Sequence, residues 1–247
     1  MQWQHWTIED EALQGLIRRQ ELAPTLLKRC IEEEITALVN LSDACLDDLE
    51  QRFREQQSLQ SDEDLQAWLE RKHWSQEDLL LHLARPEALK CFSEQRFGPG
   101  LEEHFLTRKS NLDTALYSLL RVRDPGLARE LWIQISEGEI SFADAAAQHS
   151  DGPEASSRGL LGPMALGDLQ PELAERLRHM QPGDLRPPEA LGPWVLLLRL
   201  EKLTPARLDE GMRQRLLQEQ LDQWLQARCQ AVLEGEQPEE LHYDPSP

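Results

Sequence analysis

The chain has 247 residues, and with 40% of them hydrophobic it can fill the cores of one or two domains. Asp and Glu total 45 against 26 Lys and Arg, a formal net charge of −19, and so negative a surface repels phosphate backbones, which excludes nucleic acid as an expected partner. No run approaches the roughly 20 apolar residues of a membrane-spanning helix, and the first residues lack the order of a secretory signal, so we expect no membrane insertion and a cytoplasmic location.

The longest feature of the sequence is a helical pattern that extends to about Asn111. Apolar residues return every three or four positions, as they do between Leu22 and Val39. Hydroxyl residues that can cap helices precede three of these patterns, at Ser42, Ser61 and Ser75. Proline and glycine predict breaks at Pro24, near Pro86 and at Gly98-Pro99-Gly100. We therefore expect several short helices.

The pattern changes at Leu112, where an apolar run leads to the turn-prone Asp124-Pro125-Gly126 and predicts a buried strand. Two amphipathic helices should follow, the first closed by Gly138 and the second capped by Ser141. A loop rich in Gly, Pro and Ser follows at 151–163, and a short helix is expected at 171–180. A turn at 181–184 then leads to a second strand at 194–203.

A long helical pattern resumes beyond Pro205. Its apolar residues form one stripe from Leu208 to Val232, which a lone helix in water could not bury. We expect this helix to pack on the N-terminal helices and to bracket the strand-containing segment. The acidic residues from 235 to 247 predict a disordered tail.

The cysteines and histidines show no spacing typical of a metal site. Four cysteines lie far apart, which is typical of buried thiols in a reducing compartment. Neither a phosphate loop nor a dinucleotide fingerprint nor a Gly-x-Ser-x-Gly motif occurs. We expect no metal and no cofactor.

The segment from Leu112 to Leu203 resembles the parvulin family of peptidyl-prolyl isomerases. The resemblance rests on the first strand, the two following helices, the glycine loop at 158–163, the segment at 169–173, the turn at 180–188 and the closing strand. The helical flanks resemble the SurA and PrsA chaperones, in which a helical lobe holds unfolded chains. The fold so implied is α+β.

Four regions follow from this resemblance. A helical peptide-binding lobe is expected at 1–111 and a parvulin-like domain with a small antiparallel sheet at 112–203. A helix at 204–234 would complete the lobe, and the tail at 235–247 would be disordered.

The resemblance also implies a site, and the family's polar residues are replaced in it. The first of the two histidines falls on Ser118 and the second on Trp194. The family's Cys or Asp falls near Asp151 or Gly152, and its hydroxyl residue falls on Glu189. Ser118 and Asp151 are therefore the candidate catalytic positions, although Asp151 also suits an ordinary turn.

The apolar pocket for the proline ring is implied at four positions, Met164, Leu169, Leu173 and Trp194. Core packing is the alternative for Leu169, Leu173 and Trp194, since all three lie in predicted elements with a buried face. An indole cannot accept a hydrogen bond as imidazole does, and it is larger. Trp194 would thus either line the groove or block it.

Three functions remain in view from the sequence. The first is a folding factor that binds unfolded or proline-containing polypeptides, with prolyl isomerase activity weak or absent. The second is an active isomerase with an altered site, and the third is an adaptor dedicated to one peptide or protein client, linked to export. Apolar surface on the helical lobe would serve either a client or a homodimer, and the sequence does not choose between them.

Overall fold

The structure is a computed structural model that describes residues 2–3 and 6–244. The last three positions of the expected tail, 245–247, lie outside the described residues. In chain order the helices α1 to α10 are Glu11–Arg19, Ala23–Val39, Asp43–Gln57, Asp62–Lys72, Gln76–Phe97, Leu101–Leu112, Pro125–Ser136, Phe142–His149, Pro171–Arg178 and Glu210–Leu233. The strands β1 to β6 are Gln2–Trp3, Trp6–Thr7, Thr114–Val122, Leu160–Ala165, Glu189–Leu191 and Trp194–Thr204.

The chain divides into two compact units. A helical unit comprises residues 1–102 and 209–247, and a sheet unit comprises residues 103–208. The predicted α+β fold, with helices before and after a small antiparallel sheet, is confirmed. The sheet unit is wider than the expected 112–203 and takes in α6 from Glu103 onward. The end of α6 is tied to this unit, because Asn111 accepts a hydrogen bond from Arg178 at 2.6 Å and Asp113 accepts one from the Ala206 amide at 2.8 Å.

The core of the helical unit joins residues from both ends of the chain. Ile31, Ile35 and Phe92, from α2 and α5, pack with Leu221 and Leu225 of α10. The apolar stripe of α10 is thus covered by the N-terminal helices, as its pattern required. Among the described residues, no helix combines the length and the apolar content that crossing a membrane would need.

Helix α5 corrects one expectation. It runs from Gln76 to Phe97 without a break at Pro86. Proline removes one backbone hydrogen bond from a helix interior and usually costs about 3 kcal/mol. Packing on both sides of the proline opposes this cost, because Leu79 is buried against α3 and α4 while Ala88 and Phe92 are buried against α2 and α10.

The capped helix starts are present. Ser61 and Ser75 each open a helix and accept a hydrogen bond from the backbone amide three residues later at 3.1 Å. Ser42 likewise caps α3. Pro24 lies in the first turn of α2, where a missing amide proton costs nothing.

The sheet unit has four antiparallel strands in the order β4-β3-β6-β5. Helices α7 and α8 cover one face, where Leu120, Val122 and Leu197 are buried. Helix α9 packs on the other face through Leu173, Ala174 and Leu177. The sheet is therefore apolar on both sides, which explains why its strands show nearly continuous apolar runs.

Strand β4 replaces the second half of the expected loop at 151–163. Its sequence contains glycine and proline, which weakened the strand pattern. Gly159, just before it, has φ +83° and lies so close to β3 that a Cβ would come within 2.9 Å of the Leu119 carbonyl oxygen. Glycine is required there because it permits both the conformation and the close approach.

The expected disordered tail also differs from the structure over its described part. Residues 235–244 have no helix or strand, yet Leu241 and Tyr243 pack against the helical core. Composition alone missed this because two apolar side chains suffice to anchor an otherwise polar segment.

Candidate functional site

The sheet unit contains a groove of about 610 Å³ between the sheet and α9. Strands β3 and β4 supply its floor, the segment leading into α9 supplies one wall, and the β5–β6 hairpin supplies the other. The lining residues are Tyr117, Leu119, Arg121, Leu161, Asp168, Leu169, Gln170, Glu172, Leu173, Leu191, Gly192, Pro193, Trp194 and Leu196.

Strand alternation decides which residues of β3 reach this groove. Tyr117, Leu119 and Arg121 line it, whereas Leu120 and Val122 point to the α7 and α8 side. The sequence analysis selected none of these three groove residues. The sequence could have indicated this. Side chains alternate between the two faces of a strand, so Ser118 must point away from the face that Tyr117 and Leu119 share.

Ser118 does not lie in the groove. It is buried on the opposite face, where its hydroxyl donates a hydrogen bond to the Glu201 carboxylate. Glu201 also accepts a hydrogen bond from Arg199 Nε at 2.8 Å, and the Arg199 cation lies 5.2 Å from the Phe142 ring, which belongs to the α7 and α8 core. The structure thus gives Ser118 a structural partner and places it outside the groove.

Leu169, Leu173 and Trp194 are brought together by the structure. Leu173 lies in the first turn of α9, whereas Leu169 precedes that helix in extended conformation, so helical spacing does not relate them; both side chains nevertheless line the groove. Leu173 also packs in the core between α9 and the sheet. Core packing and groove lining are therefore two aspects of the same side chains.

Trp194 forms a wall of the groove. It opens β6 opposite Leu191, after a two-residue turn in which Gly192 has φ +57°. The indole is half-buried, and the Arg123 guanidinium lies 5.0 Å from its ring. The cavity remains open beside it, so the indole lines the groove and does not fill it.

Asp151 is exposed, and its backbone amide donates to the Arg121 carbonyl at 2.9 Å. The polar group nearby is Glu154, which sequence analysis missed. Only 2% of Glu154 is exposed, and it accepts hydrogen bonds from Arg121 Nε at 2.8 Å and from Ser150 Oγ at 2.6 Å. Its ion pair anchors Arg121 at the end of the groove.

Gly152 faces this ion pair. A Cβ at position 152 would lie 2.3 Å from Glu154 Oε2 and 2.5 Å from Arg121 Nε. No side chain fits there unless the buried ion pair moves. Gly152, one of the two positions to which the resemblance assigns the family's Cys or Asp, is thus closed to any side chain larger than hydrogen.

The two other positions taken from the resemblance do not reach the groove. Met164 is 39% exposed on β4 and lies opposite Ala115, while Leu161 of the same strand lines the cavity instead. Glu189 pairs with Arg176 at 2.6 Å and with Arg186 at 2.9 Å, and the hydrogen bond from Arg176 holds the pKa of its carboxyl below the ordinary value. Glu189 serves as a structural anion.

The chemistry of the groove follows from its lining. Its titratable residues are Tyr117, Arg121, Asp168 and Glu172, and none of the lining residues carries an imidazole or a thiol. Burial raises the pKa of the Tyr117 phenol, so it stays protonated at neutral pH. Within the described part of the chain, no cluster of three or more Cys, His, Asp and Glu side chains could hold a metal. The groove can enclose an apolar ring and offers few proton-exchanging groups.

The Glu154 ion pair supports a stability prediction. The variant Glu154→Leu should lower the free energy of unfolding of the sheet unit by roughly 2–3 kcal/mol, because the Arg121 guanidinium would lose its buried partner but still reach solvent. As a matched control, Glu175→Leu removes an exposed ion pair on α9 and should cost less than about 1 kcal/mol. Urea unfolding of both variants checks this, and equal losses would contradict a special role for Glu154.

Comparison with known proteins agrees with the resemblance. Residues 126–201 match the family model described as Rotamase, PPIC-type PPIASE domain. The middle of the chain is therefore a parvulin-type domain, and that prediction is confirmed. No curated protein sequence matches the chain.

Several solved structures are similar to the chain over most of its length. PrsA from Bacillus anthracis is 18% identical, with 87% of this chain and 100% of that chain covered and a TM-score of 0.45. PrsA from Bacillus cereus is 16% identical, with 97% and 92% covered and a TM-score of 0.49. A Campylobacter jejuni structure, from work on two SurA-like chaperones, is 14% identical, with 81% and 88% covered and a TM-score of 0.37.

Proposed function

We propose that this chain is a parvulin-like folding factor that binds unfolded or proline-containing polypeptides and has weak or no prolyl isomerase activity. One observation carries the proposal: the groove keeps an apolar floor and an aromatic wall, yet its lining includes neither imidazole nor thiol. The groove is shaped for binding and lacks the polar network that the family resemblance would supply.

The physics of the reaction supports the weak-activity part. Rotation about a peptide bond has a barrier near about 20 kcal/mol, and a catalyst must favour the twisted amide over both planar forms. Apolar contacts with the ring stabilise the planar and twisted forms to similar extents. Leu169, Leu173 and Trp194 would therefore contribute affinity without accelerating rotation.

A protease-coupled assay on an Ala-Pro peptide tests this proposal. We expect an isomerisation rate within about twofold of the uncatalysed reaction, together with saturable binding of the same peptide measured by NMR through the side-chain resonances of Leu173 and Trp194. A rate far above background that falls when the groove is altered would contradict the proposal. No binding at this groove would contradict it as well.

An active isomerase with an altered site is the second candidate, and one observation favours it. The protonated Tyr117 hydroxyl and the Arg121 guanidinium both line the groove and are donors that a twisted amide could use. A Tyr117→Phe variant separates the two accounts. If the wild type accelerates isomerisation and Tyr117→Phe does not, the altered active site is supported. If both proteins leave the rate at background, binding alone is supported.

The partner we propose is an unfolded or proline-containing polypeptide. The compartment we propose is the reducing cytoplasm, a choice supported by the four free thiols.

Affinity measurements distinguish an adaptor for one client from a general folding factor. The adaptor would bind one natural sequence and ignore a permanently unfolded, carboxymethylated protein, whereas a general folding factor would bind both. Sedimentation of the free chain decides whether it forms a homodimer.

A further inference from the structure

The segment that follows α10 lies along the helical core in an extended form. Residues 235–244 contain no helix or strand, and Leu241 and Tyr243 pack against the cluster that includes Ile35 and Phe92. His242, between them, is exposed. Burial of every second side chain is typical of an extended peptide that lies in a groove.

Side chains of the helices hold the backbone of this segment. The Gln95 side-chain amide donates to the Asp244 carbonyl and accepts from the Asp244 amide at 3.2 Å. Arg228 Nη1 donates to the Glu239 carbonyl at 2.8 Å. These hydrogen bonds use main-chain groups alone, so any extended polypeptide could make them in place of the tail.

The tail leaves space in its groove. Cavities of about 820 Å³ and about 180 Å³ adjoin it, and Arg228, Pro238, Glu240 and Leu241 line both of them. Arg228 Nε is buried and has no hydrogen-bond partner. Because a guanidinium has five donors, Arg228 could hold more backbone carbonyls than the tail gives it.

The tail has the same sign of charge as the helical unit as a whole, although the Arg96 and Arg228 side chains beside it are cations. It carries Glu236, Glu239, Glu240 and Asp244 and contains neither Lys nor Arg. Without the four acidic residues of the tail, the helical unit has 26 Asp and Glu against 14 Lys and Arg, a net charge of −12, whereas the sheet unit has 15 against 12, a net charge of −3. A neutral or basic segment in the same groove would be free of this repulsion.

We infer that residues 235–244 occupy a polypeptide-binding groove of the helical unit in place of a client, and that an extended segment with apolar side chains at alternate positions and flanking Lys or Arg displaces them. This inference rests on the proposed function, in which the chain binds unfolded polypeptides. The tail then sets an affinity threshold: a segment must bind better than an acidic, partly fitting competitor that is always present.

Two labelled nine-residue peptides provide the test: one with the native sequence of residues 236–244, and one in which each acidic residue is replaced by lysine. The full chain is compared with the double variant Leu241→Ser/Tyr243→Ser, which releases the tail, and with the exposed control His242→Ser. We expect the lysine peptide to bind the double variant about fivefold more tightly than the wild type. The control should match the wild type, and the lysine peptide should bind more tightly than the native one.

Salt provides an independent readout. Raising the ionic strength shortens the range of charge interactions to below about 10 Å. The lysine peptide should therefore lose affinity as salt rises, and the difference between the two peptides should shrink. A salt-independent difference would overturn the charge argument.

Equal affinity of the lysine peptide for the wild type and the double variant would overturn the inference. It would also be overturned if the unlabelled native peptide failed to compete, because binding would then occur outside the groove. Should the double variant fail to fold, Tyr243→Ser alone loosens the end of the tail and leaves every helix side chain of the groove in place, and it must still raise the affinity for the lysine peptide. A reduced ribonuclease blocked with iodoacetamide, which is permanently unfolded and basic, separates the two proposals: if no variant binds it, the proposed function fails, and if all variants bind it equally, only the role of the tail fails.

Discussion

The variant Leu169→Arg is expected to lower the affinity of the sheet-unit groove for a proline-containing peptide by about thirtyfold. Leu169 is a half-buried apolar wall of that groove, next to Leu173 and across from Trp194. Loss of an apolar anchor at the centre of a binding site costs about 2 kcal/mol or more, and a charged side chain in its place adds a desolvation cost. Isothermal titration with the Ala-Pro peptide measures the change.

Leu160→Arg is the matched control for this variant. Leu160 lies on β4 of the same unit, is 47% exposed and does not line the groove. The control should bind the peptide as the wild type does, and both variants should keep the wild-type thermal midpoint. Equal losses of affinity in the two variants would show that the peptide binds elsewhere on this unit.

Replacing Leu225 by alanine is expected to destabilise the helical unit by about 2–5 kcal/mol, the usual cost of a large-to-small change in a packed core. Leu225 is 1% exposed, and it packs with Ile31, Ile35 and Phe92, which precede it by more than a hundred residues. The loss would therefore show that α10 belongs to the core of the N-terminal helices.

Leu233→Ala, at the end of the same helix, is the control. Leu233 is 37% exposed, and its truncation should cost less than about 1 kcal/mol. Amide hydrogen exchange locates the effect: α2 and α5 should lose protection in Leu225→Ala, while β3 and β6 should keep theirs. Unchanged protection of α2 would contradict the shared core, and an equal loss in β3 would contradict the division into two units.

Elements with a strong period were predictable from the sequence. The stripe on α10 required a partner and has one in the N-terminal helices. The capping serines at 42, 61 and 75 mark true helix starts because a side-chain oxygen satisfies a backbone donor that the helix leaves free. These signals are local, and they hold whatever the rest of the chain does.

Elements that depend on tertiary contacts were not predictable. Strand β4 contains glycine and proline, and it forms because β3 offers it a hydrogen-bonding edge. Helix α5 passes through Pro86 because packing on both sides opposes the break. In both cases a partner distant in sequence outweighs the local preference.

The candidate site shows the same division. Leu169, Leu173 and Trp194 were found because the family resemblance placed them, and the structure brings them into one groove. Ser118 lies on the face of the sheet opposite the groove, because successive side chains of a strand point to opposite faces. Glu154 gave no sequence signal, since its importance comes from burial beside Arg121.

The discontinuity of the helical unit bears on how the chain folds as it is made. Helix α10 follows the whole sheet unit in sequence, so during synthesis the sheet unit can close while α2 and α5 still lack a covering helix. The apolar faces of α2 and α5 then stay exposed until the ribosome has released residues beyond about position 230. Contacts between residues far apart in sequence form last, and the ion pair of Lys28 with Asp222, 194 positions apart, is an example. Under the proposed function, a chain that binds unfolded polypeptides would itself pass through a partly folded state during its own synthesis.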